Sequence, residues 1–114
     1  MNWQQKMINL LTMCRKSGNL TIGFDASRDC ILDGNAFCIL TAKDISPNTF
    51  NKISRICEMF AAGKVPVLKT DLTVAEMEQY LCQKVAVAAV CDKGFAARFE
   101  ELVRSASGKI GIGI

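Results

Sequence analysis

Ala36-Phe37-Cys38-Ile39-Leu40-Thr41-Ala42-Lys43-Asp44-Ile45-Ser46-Pro47-Asn48-Thr49 carries, in order, a strand, a turn and a helix start. Ala36 to Thr41 is continuously apolar and lacks the period-two alternation of a half-wetted strand. That pattern predicts a strand buried on both faces. Ser46 followed by Pro47 is a helix opening. The serine hydroxyl can accept from an orphan backbone N–H, and proline at the first helical position gives up an N–H that would be unpaired there anyway. A strand covered on both sides needs helices on both sides, so the rest of the chain is read for them.

Toward the N-terminus, Phe24 to Leu32 reads as a short helix closed by Asp33-Gly34, and Leu20-Thr21-Ile22 as a short strand ending at Gly23. Before these, Asn2 to Ser17 places Trp3, Met7, Leu10, Leu11 and Cys14 at spacings of three and four, one face of an amphipathic helix, with Gly18 as its left-handed stop. Toward the C-terminus, the helix opened by Ser46-Pro47 is predicted to run to Ala62 and stop at Gly63, burying Phe50, Ile53, Ile56, Cys57 and Phe60. Val65-Pro66-Val67-Leu68 is a third strand, with its proline near the beginning. Thr73-Val74-Ala75-Glu76 has the form of a capping box and opens a short helix through Met77, Tyr80 and Leu81. Val85 to Val90 is apolar throughout and is predicted to be a central strand. Asp92 to Ser105 is the last helix, with Phe95, Phe99, Leu102 and Val103 inward. Strands separated by helices predict an α/β fold, a three-layer α/β/α sandwich around a mostly parallel sheet. Residues 1–106 form a single domain in this reading. Residues 107–114, a Gly/Ile-rich tail, receive no assignment.

Composition narrows the function classes. The 114 residues fit one core, half of them are hydrophobic, and 14 basic residues against 11 acidic leave a net charge of +3. That bias is compatible with nucleic acid without being diagnostic of it. No signal-peptide pattern opens the chain, and no apolar run approaches the roughly 18 residues of a membrane span. The six cysteines, Cys14, Cys30, Cys38, Cys57, Cys82 and Cys91, contain no C-x-x-C and lie mostly in apolar segments. They read as reduced core thiols of a cytoplasmic protein. There is no histidine, which removes the commonest general base and metal ligand. The cysteine spacings fit no zinc pattern, and the tail glycines form no nucleotide fingerprint. The expectation is a binding protein rather than an enzyme, with no catalytic residues, no metal and no cofactor. Gly23, at the junction of the first strand and second helix, has two readings. It permits a tight turn, or it opens a helix N-terminus whose unpaired N–H groups attract an anion.

The segments Gly23 to Gly34, Ala36 to Asp44 and Ser46-Pro47-Asn48-Thr49, then Val65-Pro66, Val85 to Val90 and Asp92-Lys93-Gly94-Phe95-Ala96, resemble in order and spacing the ribosomal L-seven-Ae/L-thirty-e family. The nearest likeness is to its bacterial YlxQ-like branch, and it covers about residues 5 to 104. The resemblance implies an L-thirty-e-like sandwich with a four-stranded mixed, mostly parallel sheet. It also implies recognition of structured, kink-turn-like RNA, with ribosomal RNA and ribosomal proteins as the partner class. The RNA surface it implies joins three segments: Gly23, Phe24, Asp25 and Arg28; Lys43 and Asp44; and Lys84 and Val85. Lys43 and Lys84 stand out as phosphate contacts, because the family sets their loops side by side. Asp25 and Asp29 form an i,i+4 pair of like charge that opposes phosphate. They motivate the alternative of a diverged member that has lost kink-turn binding and engages protein. A continuous positive patch joining Arg28, Lys43 and Lys84 favours RNA; an exposed apolar patch favours protein.

Overall fold

The computed structural model describes residues 2–112, with side chains through Ser105. All the helices but α2 begin where a side chain satisfies one of the first orphan N–H groups. In α1 (Trp3–Lys16), the Asn2 side-chain oxygen accepts from the Gln5 N–H at 2.7 Å. Strand β1 (Leu20–Ile22) leads through Gly23 to α2 (Phe24–Leu32) and then β2 (Cys38–Thr41). Ser46 opens α3 (Pro47–Ala61), its hydroxyl accepting from the Thr49 N–H at 3.2 Å, with Pro47 in the first turn. After β3 (Val67–Lys69), Thr73 and Glu76 close both halves of a capping box on α4 (Val74–Leu81). Strand β4 (Val87–Val90) precedes α5 (Lys93–Ile112), whose start is held by the Asp92 carboxylate accepting from the Phe95 N–H at 2.8 Å. Helix α5 thus runs on into the segment left unassigned from sequence, while residues 113–114 lie outside the described residues.

The sheet is four-stranded and mixed, in the order β1-β4-β2-β3. Its predominantly parallel character is a correction to make: only β2 and β3 pair in parallel, whereas β4 runs antiparallel to both β1 and β2. The inference from burial to strand direction fails for a definite reason. All four residues of β4 are buried, as those of a central parallel strand would be. An antiparallel strand is equally buried when helices cover both faces of the sheet.

Alternate residues of the two central strands feed two cores. Cys38 and Leu40 of β2 and Ala88 and Val90 of β4 meet α1, α4 and α5 through Met7, Leu11, Met77, Leu81 and Phe99. Ile39, Val87 and Ala89 meet α2 and α3 through Ile31, Ile53 and Cys57. This is the three-layer arrangement expected from sequence. One inward residue is corrected: Phe60 is 58% exposed, beside Met59 at 74%. A 15-residue α3 is about 22 Å long, against about 13 Å for the four residues of β2. Its last turn therefore overhangs the strands it covers. Among the described residues no helix is long and apolar enough to cross a membrane.

Candidate nucleic-acid interface

Because β4 runs against both neighbours, the ends of β1 and β2 and the beginning of β4 lie at one edge of the sandwich. The parallel partner β3 ends there too. Backbone hydrogen bonds tie these ends together. Gly23 N–H donates to the Val87 carbonyl at 2.9 Å, and Ala42 N–H to the Ala86 carbonyl at 2.9 Å. The Thr41 carbonyl accepts from both the N–H (3.0 Å) and the hydroxyl (2.8 Å) of Thr70, and Lys43 N–H donates to the Leu72 carbonyl at 2.7 Å. The three segments singled out in sequence are thus neighbours on a rigid frame.

Gly23 has φ +109, a conformation that side chains rarely adopt, so glycine is required by the turn itself. As N-cap it offers no side-chain acceptor, leaving the N-terminus of α2 to other partners. Phe24 packs into the core of α2 and α3 and serves as an anchor for the turn. Two carboxylates surround one guanidinium near the start of α2, which leaves this stretch net negative. The Arg28 guanidinium lies 3.5 Å from the Asp25 carboxylate and 3.4 Å from that of Asp29. Lys43 is exposed and lies 3.5 Å from the Asp71 carboxylate. Asp44 accepts from the Val74 N–H at 2.9 Å, so its carboxylate helps to start α4. Lys84 is exposed and forms no ion pair among the described residues. The Val85 side chain is 1% exposed and sits in the core with Leu81.

Two pairings at this edge escaped the sequence reading, that of Asp71 with Lys43 and that of Arg15 with the Leu81 turn. Asp71 is 28 positions from Lys43, and nothing in their spacing links them. Arg15 ends α1, but its guanidinium donates to the Leu81 carbonyl and, at 3.1 Å, to the Gln83 side chain. It holds the turn in which Cys82 takes a left-handed conformation, φ +58, and from which Lys84 projects. The edge therefore offers unpaired helix N–H groups and separate cations rather than one unbroken positive field. Such an edge can bind anionic oxygens. Among the described residues no His/Cys/Asp/Glu group is arranged to hold a metal ion.

No family model matches the chain, and no curated protein matches it in sequence. Solved structures do match in shape. The fold is similar to that of a protein of unknown function from Bacillus halodurans, with TM-score 0.75 at 18% identity, covering 84% of this chain and 94% of that one. It is also similar to a 15.5 kD RNA-binding protein from Giardia lamblia, with TM-score 0.69 at 15% identity, covering 90% of this chain and 88% of that one. The chain therefore shares the fold of these two proteins, here a mixed four-stranded sheet with five helices.

Proposed function

We propose that this chain is a small RNA-binding protein that recognises structured, kink-turn-like RNA, in association with the ribosome, through the edge where β1, β2 and β4 meet. The observation that carries this reading is the convergence of Gly23, Lys43 and Lys84 on one hydrogen-bonded edge of a fold shared with an RNA-binding protein. In this reading the N-terminus of α2 and the ammonium groups of Lys43 and Lys84 take phosphate oxygens. The partly occupied charges set how tightly. Arg28 must leave Asp25 or Asp29, and Lys43 must leave Asp71, before either can contact phosphate.

A titration against a kink-turn RNA and against total ribosomal RNA, each at two salt concentrations, tests the proposal. Binding is expected to weaken with salt. In a Lys43→Ala, Lys84→Ala double variant, the log–log salt slope is expected to fall by about two, roughly one per lost phosphate contact. A folded protein that binds neither RNA sinks the reading. A second reading, a protein-interaction module, is favoured by the exposed Met59 and Phe60 and by the carboxylates around Arg28. It gains if RNA binding is absent.

A further inference from the structure

The six cysteines sort into three environments. Cys14, Cys38 and Cys57 are buried, and burial pushes their thiols up to about 12, about 12 and about 11 respectively. Cys82 is exposed, at the end of α4. Cys30 and Cys91 are half-buried, on α2 and just beyond β4, and their sulfur atoms lie 3.7 Å apart across 61 positions of sequence. The Thr21 hydroxyl is 3.6 Å from the Cys91 sulfur. Both backbones are held in place: Cys91 N–H donates to the Asn19 carbonyl at 2.8 Å, and the Cys30 carbonyl accepts from Asn35 N–H at 2.9 Å and Ala36 N–H at 3.2 Å. Two sulfurs in van der Waals contact on anchored backbones need an approach of roughly 1.7 Å to reach the bonded distance of about 2.05 Å.

We infer that Cys30 and Cys91 are a dithiol site that a hydroperoxide converts, reversibly, into an intramolecular disulfide. One thiolate attacks the peroxide O–O bond, forming a sulfenic acid and releasing the alcohol (water, from hydrogen peroxide). The second thiolate attacks the sulfenic sulfur. The S–S bond forms, the S–O bond breaks, and the departing hydroxide takes a proton to leave as water. Two electrons pass from the sulfurs to the peroxide, and an external dithiol reverses the change by exchange. Burial raises the Cys91 thiol above its ordinary value, with the Thr21 hydroxyl opposing the shift and the neighbouring Cys30 adding to it. The thiolate is the attacking form, so oxidation is faster as pH rises. The bond ties α2 to the end of β4 and closes a long loop, which restricts the unfolded chain.

The test is hydrogen peroxide treatment of the Cys82→Ser protein, followed by mass spectrometry of a non-reducing digest. Expected are the loss of two hydrogens per chain, one linked peptide pair joining Cys30 and Cys91, reversal by dithiothreitol, and a higher Tm in the oxidised form. Adding Cys30→Ser or Cys91→Ser removes the link. Wild-type protein offers a second reading free of substitutions: an aryl arsenoxide, which bridges two thiols, labels Cys30 and Cys91 together at one per chain. A sulfinic acid without a link, a link between other cysteines, or an arsenical that bridges neither residue overturns the inference.

Discussion

Arg28 shows how much of the candidate edge is decided by single side chains. Sequence alone places its charge in a positive patch, yet it sits between Asp25 and Asp29 at 3.5 and 3.4 Å. Replacing both carboxylates, Asp25→Asn with Asp29→Asn, frees the guanidinium and removes two charges that repel phosphate. At ~8 Å in water each such repulsion is worth about 0.5 kcal/mol, so RNA binding at low salt is expected to tighten about fivefold. Folding stability should change by no more than about 0.5 kcal/mol, because exposed ion pairs contribute little and the i,i+4 repulsion is relieved. Parallel RNA titration and urea unfolding of the double variant separate the two effects. Cys82 makes the opposite case, a residue under conformational strain. Its φ of +58 is a position where glycine carries no Cβ penalty. Cys82→Gly is expected to raise the urea unfolding free energy by about 0.5–1 kcal/mol, after the larger entropy that glycine has in the unfolded chain. An unchanged or lower midpoint would show that the turn around Cys82 is held by something other than its backbone preference.

Helix α4 is the element whose start was most legible in sequence, because Thr73 and Glu76 are spaced to serve each other. The Thr73 N–H donates to one Glu76 carboxylate oxygen at 3.0 Å, and the Gln4 amide of α1 donates to the other at 2.7 Å. The Thr73 N–H foremost, then the Thr73 hydroxyl, the Gln4 amide and the Lys43 charge, hold the Glu76 carboxyl below the ordinary glutamate range. A carboxyl lowered on folding stabilises the native state above its unfolded pKa, and that contribution is lost as pH falls through the folded value. Urea midpoints measured at neutral pH and near pH 3 are therefore expected to fall further for wild type than for Glu76→Gln. Equal losses would mean that the bonds around Glu76 carry no net preference for its ionised form. The helices were legible because their caps and apolar faces are local: Ser46-Pro47, Thr73/Glu76 and the Trp3-to-Cys14 stripe need no tertiary information. Strand direction was not legible. The apolar run of β4 reports only that both its faces are covered, and Val90 would be as buried in either direction. The site was readable to the level of which segments meet. The ion pairs of Lys43 with Asp71 and the hold of Arg15 on Leu81 depend on contacts between distant parts of the chain.

For the molecule as a whole, the edge and the cores are linked through β4. Ala88 faces the core of α1, α4 and α5, whereas Ala89 faces that of α2 and α3, and both are at most 1% exposed. Helix α2 packs directly on β4, and the small side chain of Ala89 leaves room for that approach. The same helix carries Gly23 at its N-terminus, where Gly23 is bonded to Val87 two residues along the strand. Enlarging either alanine should overpack its core and cost about 1–3 kcal/mol. The two changes should diverge at the binding edge. Ala89→Leu pushes against α2 and displaces the N-terminus that is proposed to meet phosphate, so RNA affinity should fall along with stability. Ala88→Leu strains the opposite layer and should leave affinity near wild type in the protein that remains folded. Urea unfolding and RNA titration of both variants, at a temperature well below either Tm, distinguish a site built on the position of α2 from one set by surface charge alone. If Ala89→Leu binds RNA as tightly as Ala88→Leu does, the lysines carry the binding and the helix N-terminus contributes nothing to it.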